Sequence, residues 1–190
     1  MYKAAYGNLA NSPVPVRLAE FSPDTQMVSQ GVQVGIGNWQ ATLENNKNLL
    51  AADFVTRFRF TAAYPQGMPA TEFVERMFAN AGVPPSASDR QGAINEFGSS
   101  TNSGDVAARA RVLRRVVENP LFAEREFNRA FVLMQYFGYL RRNPNDTPDS
   151  NFSGYNFWLS KLNDFSGNFV NAEMVKAFTV SNEYRRRFGN

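Results

Sequence analysis

The side chains that most often perform enzyme chemistry are missing from this sequence, which has no His and no Cys among its 190 residues. Their absence removes the commonest general base and metal ligand, thiol nucleophiles, disulfides and zinc sites together. Carboxylates, hydroxyls, amides and Arg remain. One group of them has a spacing with chemical meaning: Asp149-x-Asn151-x-Ser153-Gly154 copies the first half of a calcium loop, in which oxygens at positions 1, 3 and 5 and a Gly at 6 wrap the ion. The second half departs from that pattern, since position 12 is Ser160 instead of a bidentate Glu and position 8 is the polar Asn156. The competing reading is a turn in which Asp149 and Asn151 bond their own backbone and Gly154 supplies a positive φ. No metal site is expected, and Asp149, Asn151 and Ser153 stand as a weak candidate loop.

The remaining candidates also read as structural. Thr61, Asn119 and Ser181 occupy one recurring position, and a small polar residue within a helical stripe bonds the backbone a turn earlier or lets helices approach. Trp39 and Trp158 would suit a glycan face, but their helical register with Leu43 and Leu162 assigns them to the core. Arg185, Arg186 and Arg187 could grip phosphate or an acidic partner; consecutive helix residues point about 100° apart, so a dipole-stabilised helix end fits better. No Gly-rich phosphate loop follows a strand, and no nucleophile elbow is present. The chain is therefore expected to have no catalytic residues and no cofactor.

Charge placement narrows the partner. Net charge is +3; residues 1–124 carry 11 basic and 11 acidic side chains, and residues 125–190 carry 9 and 6. Sixteen of the 20 cations are Arg, which favours planar paired contacts over a diffuse Lys halo. This is thinner than the stripe that nucleic acid requires, and it predicts solvated helix faces studded with Arg–acid pairs. The longest apolar stretch, Ala130 to Met134, stops at Gln135, far short of the ~18 residues of a membrane span. A protein partner is expected, either a second copy or domains of a parent chain. Tyr2-Lys3-Ala4-Ala5-Tyr6 reads as helix interior and suggests a piece of a longer chain.

The elements that position these residues repeat. Val55-x-x-Phe58-x-x-Thr61-x-x-Tyr64 returns as Leu113-x-x-Val116-x-x-Asn119-x-x-Phe122 and as Val175-x-x-Phe178-x-x-Ser181-x-x-Tyr184, at offsets of 58 and 62. Trp39 and Trp158 precede the first and third of these by 16 and 17 residues. Phe73-Val74 parallels Phe131-Val132. An all-α fold follows, of three stacked units of about 60 residues at 1–64, 65–124 and 125–190, the first lacking the start of its opening helix. The expected core comprises Trp39, Leu43, Phe54, Phe58, Leu113, Phe131, Trp158, Leu162, Val175 and Phe178, at helical spacing within their segments. Ser86-Ala87-Ser88-Asp89 has the form of a capping box. Residues 10–37, rich in Pro and Gly with Val32 and Val34 alternating, predict an extended loop or short hairpin, and 143–154 a turn cluster.

Three stretches of the third unit carry a resemblance. Phe131 to Asp146, with its Tyr136-Phe137-Gly138-Tyr139-Leu140-Arg141-Arg142 run, is followed by Gly154-Tyr155-Asn156-Phe157-Trp158-x-x-x-Leu162 and by Val175-x-x-Phe178-x-x-Ser181-x-Glu183-Tyr184. Together they resemble the bacterial family filed as domain of unknown function 4214, whose pattern is an aromatic helix ending in Arg-x-x-Asp, a Gly shortly before Trp, and a closing Phe-x-x-Ser-x-Glu-Phe/Tyr. Related modules occur in large acidobacterial secreted proteins and are distantly similar to phycobilisome linker domains. The resemblance implies a non-catalytic, extracellular or cell-surface assembly or interaction module. The incomplete first unit leaves an apolar face to be covered, either by an upstream domain or by another copy in a head-to-tail contact that propagates into rings or filaments. The alternative function is a monomeric glycan- or calcium-binding accessory module. The loop before Gly154 is wider than the family's, and the second unit lacks the Trp.

Overall fold

Apolar residues at helical spacing bury one face of several helices of the chain. The computed structural model describes residues 1–189, and among them it is all-helical: α1 Tyr2–Tyr6, α2 Leu18–Ser29, α3 Trp39–Phe54, α4 Phe58–Ala63, α5 Ala70–Ala81, α6 Ala87–Asn95, α7 Val106–Val117, α8 Pro120–Gln135, α9 Ser153–Asp164, α10 Met174–Thr179 and α11 Asn182–Phe188. In α5 the buried set is Ala70, Phe73, Val74, Met77, Phe78 and Ala81, one face of a helix. Gly82 ends it in the left-handed conformation at φ 74, where a Cβ would be strained.

Helix starts follow from capping residues. Ser86 Oγ accepts from the Asp89 amide at 3.0 Å, as the capping-box spacing predicts. Asp105 caps α7, Asn119 caps α8 with Pro120 in its first turn, and Ser181 caps α11. At its far end α8 runs into a π-helical turn, Tyr136–Leu140, and Arg141 at φ 50 sends the chain out of the helix.

The predicted extended loop at 10–37 contains a helix instead, α2, with Pro23 in its second turn. Pro23 cannot donate back to the Ala19 carbonyl. Tertiary contacts outweigh that loss: Asn46 of α3 donates to the carbonyls of Val28 at 3.0 Å and Gln30 at 2.8 Å, fixing the end of α2. Among the described residues the one β-type contact is an isolated bridge between Pro69 and Asn102.

Buried side chains form two clusters. The first gathers α1, the end of α3, α4 to α7 and Phe122 at the start of α8. The second gathers Val14 and Val16 with the end of α8, the π turn, α9 and α10. Phe54, Val116 and Phe178 lie 62 residues apart, each buried at or beside the end of its helix. Three residues after each, Arg57, Asn119 and Ser181 stand as N-caps of α4, α8 and α11.

The helix break after Phe54 corrects one expected core position. Phe58 is 88% exposed, because the helix breaks over residues 55–57 and Phe58 restarts it as the first residue of α4. Phe54, Leu113, Leu162 and Phe178 are buried, whereas Phe131 and Trp158 are half-buried against the second cluster. Trp39, Leu43 and Val175 are half-buried and outside both clusters. Trp39 sits in the exposed first turn of α3 and Trp158 within α9, so the two indoles have different surroundings.

Candidate functional site

The turn cluster expected at 143–154 folds around a guanidinium. Arg142, 6% exposed, is turned inward where Arg141 leaves the π turn, and its Nη1 donates to the carbonyls of Asn143, Pro144 and Asp146 at 3.0, 3.2 and 3.1 Å. Its Nη2 donates to Asp149 Oδ2 at 2.7 Å and to Glu183 Oε2 at 3.0 Å, while Nε donates to Glu183 Oε1 at 2.7 Å. The Tyr136 ring lies against the same guanidinium at 5.2 Å. Burial, reinforced by the negative charge of Asp149, pushes the Tyr136 phenol up to about 12. Burial also pushes the Glu183 carboxyl up, but its hydrogen bonds to Arg142 and the neighbouring charges of Arg142 and Arg187 outweigh this and hold it below the usual carboxylate range.

This arrangement places each residue of the weak calcium loop. Asp149 is occupied by Arg142, and Asn151 Oδ1 accepts from the Ser153 amide at 2.8 Å, while Ser153 opens α9. A cation is already paired with Asp149, so a second would meet repulsion there. Gly154 is needed for space rather than for a positive φ: a Cβ there would lie 2.7 Å from the Tyr136 hydroxyl. Among the described residues no three acidic side chains gather as a metal cage.

A second buried cation was not anticipated. Arg109 of α7 is 2% exposed, lies over the Phe73 ring at 5.4 Å, and donates to the carbonyl and hydroxyl of Ser103 and to the Pro65 carbonyl. Burial lowers its pKa. The signal was in the α7 stripe, since Arg109 stands four residues before Leu113 and seven before Val116.

The other Arg residues form seams between helices. Arg114 joins Glu44 at 2.7 Å and Asn48 at 2.8 Å across α3 and α7, with Glu118 one turn on. Arg111 and Arg115 both reach Glu96. These pairs rim a groove of about 650 Å³ whose lining includes Ala51 and Ala110. On the other side, Arg57 binds Asp24 at 2.6 Å and Asp53 at 2.7 Å, and Tyr2 donates to Asp24 at 2.9 Å.

The recurring polar position divides. Asn119 and Ser181 cap helices, whereas Thr61 lies inside α4 and bonds the Phe58 carbonyl at 3.1 Å. Arg185, Arg186 and Arg187 do fill the last turn of α11, and Arg187 pairs with Glu183 at 3.2 Å. Apolar exposure concentrates in the last third of the chain: Phe127, Phe157, Phe165, Phe169 and Phe188 are all exposed, against Phe58 alone among the earlier phenylalanines. Phe131, one turn after Phe127, stacks on Phe169 with ring centroids 5.0 Å apart, which makes part of this surface continuous.

Compared with known proteins, the chain matches no family model, no curated protein and no solved structure. No helix among the described residues is long and apolar enough to cross a membrane.

Proposed function

We propose that this chain is a non-catalytic structural and interaction module, built of helical units with a 62-residue period, that works outside the bacterial cell or on its surface and associates with protein, including further copies of itself. The observation that carries this reading is the aromatic surface of the last third, where the half-buried Phe131 stacks on the exposed Phe169 and Phe127, Phe157, Phe165 and Phe188 are exposed in the same third. Exposed apolar area of this kind is characteristic of protein contact. The way the polar groups are used supports the same reading, since the buried Arg142 and Arg109 hold loops and the Arg114 seam holds helices. Calcium binding has less support because Arg142 occupies Asp149.

Light scattering across a wide range of protein concentration tests the proposal. The mass should rise with concentration, and Phe127→Ser together with Phe157→Ser should lower the association at unchanged helix content. A chain that remains monomeric throughout overturns self-association.

A further inference from the structure

We propose that copies of this chain associate by exchanging their first 29 residues, with residues 30–38 as the hinge; this deepens the self-association reading above and rests on it. The arm, α1 and α2 with the segment between them, is held almost entirely by residues beyond the hinge. Ala4 and Ala5 are buried in the first cluster, and the Ala5 carbonyl accepts from the Tyr64 hydroxyl at 2.6 Å and from Asn80 at 2.7 Å. Val14 and Val16 are buried in the second cluster, Phe21 packs on Phe137 at 5.2 Å, and the Leu18 amide donates to Asn143 at 2.8 Å. Arg57 closes the set on Asp24 at 2.6 Å.

The groove that receives this arm on any copy is therefore complementary to the arm of every other copy, side chain for side chain. Exchange replaces each of these contacts by its identical counterpart between chains, which makes it a low-cost route to association. What changes is the hinge and the freedom lost on association.

The hinge has the properties this requires. Residues 31–38 are exposed apart from Val32, which is half-buried, and Gly31, Gly35 and Gly37 all take positive φ. Its internal backbone bonds are two turn closures, Val32 to Ser29 and Ile36 to Gln33. Val34 and Ile36 are 77% and 65% exposed among the described residues. Val32, Val34 and Ile36 alternate with Gln33 and Gly35, the period of an extended strand. In the exchanged form two hinges run side by side, where this alternation can pair and cover the apolar side chains. Reciprocal exchange closes a two-fold dimer, and serial exchange propagates into longer assemblies.

Since the chain has no native Cys, a cysteine pair reports the exchange cleanly. Glu20 on the arm and Arg59 on α4 meet at 3.0 Å with both side chains reaching solvent, so Glu20→Cys with Arg59→Cys can be joined by a short bismaleimide. Arg17→Cys with Asn143→Cys, from the arm to the second cluster, is the second pair should the first not fold. Each is linked in the monomer and in the oligomer collected at high concentration or after refolding there. The oligomer should yield a denatured species of twice the chain mass or more, and the monomer an internally linked chain. An oligomer whose links are all within one chain overturns exchange and leaves association through the phenylalanine surface standing. No oligomer under any of these conditions overturns both.

Discussion

Arg142 and Glu183 meet through two parallel hydrogen bonds, Nε to Oε1 at 2.7 Å and Nη2 to Oε2 at 3.0 Å, across 41 residues of sequence. The fork ties the end of the π turn to α11. Asp149 and three backbone carbonyls complete the shell around the same guanidinium, so the widest loop of the last third and the final helix share one anchor. Planar, two-point geometry of this kind is specific to Arg, because Lys offers a point charge.

Removing that anchor is expected to destabilise the last third strongly. Arg142→Met leaves Asp149 without its cation, Glu183 with only Arg187, and three carbonyls without this donor, at a cost of about 3 to 5 kcal/mol. Arg142→Lys should recover only part of it. Urea unfolding followed by circular dichroism measures both, and an unchanged midpoint for Arg142→Met would refute the role assigned to this residue.

Acid should act through the same pair and through Glu96, whose pairing with Arg111 and Arg115 outweighs the upward push of burial. Both carboxyls lie below their ordinary value when folded, so the unfolded chain binds protons more readily. Their stabilisation is full above the unfolded value of about 4.3 and is lost as pH falls through the folded one. The part of the stability that these two carboxyls carry should be level from neutral pH to about 5 and then decline, and Glu183→Gln should reduce that acid slope while lowering stability at neutral pH. Equal slopes in the two proteins would count against this account.

The corrected register makes a sharp comparison between two phenylalanines four residues apart. Phe54 is fully buried and packs edge-on against Phe60 at 6.0 Å, whereas Phe58 is 88% exposed. Phe54→Ala should cost about 3 to 5 kcal/mol through lost burial and a cavity. Phe58→Ser should stay within about 0.5 kcal/mol of the parent. Thermal melts of the two variants decide the matter, and comparable losses would restore the register in which Phe58 belongs to the core.

The all-helical class and the capping box at Ser86 were legible because each depends on local spacing. Thr61, Asn119 and Ser181 read as small polar positions inside helices; the fold makes Asn119 and Ser181 N-caps and leaves only Thr61 inside one, because α4 starts at Arg57, which offers no side-chain oxygen. α2 was hidden by Pro23, because the Asn46 contacts that fix its end come from another helix. The Arg142 anchor was hidden for the same reason. Asp149 reads locally as a calcium ligand, and only the fold brings Arg142 and Glu183 to it.

Arg109 presents two opposing effects, and its replacement shows which is larger. It is a buried cation without a carboxylate, and burial lowers its pKa, so the charge itself is unfavourable where it stands. Replacing a buried charge by an apolar side chain of similar length is often neutral or stabilising when its partners leave with it. Here the partners stay: the Ser103 and Pro65 carbonyls and the Ser103 hydroxyl belong to loops that Arg109 joins. The same junction contains the bonds from the Ser103 amide to Met68 at 2.8 Å and from the Ala70 amide to Thr101 at 3.0 Å. Arg109→Met keeps the packing over Phe73 but strands those acceptors, and stranded buried groups cost about 1 to 3 kcal/mol. A net loss of that size is therefore expected, with faster hydrogen exchange at the Ser103 and Ala70 amides than at the amides of α9. Arg109→Ala adds a cavity and should lose more. An Arg109→Met protein as stable as the parent, with protection at Ser103 unchanged, would mean that desolvation of the guanidinium outweighs its three hydrogen bonds and that the loops hold without it.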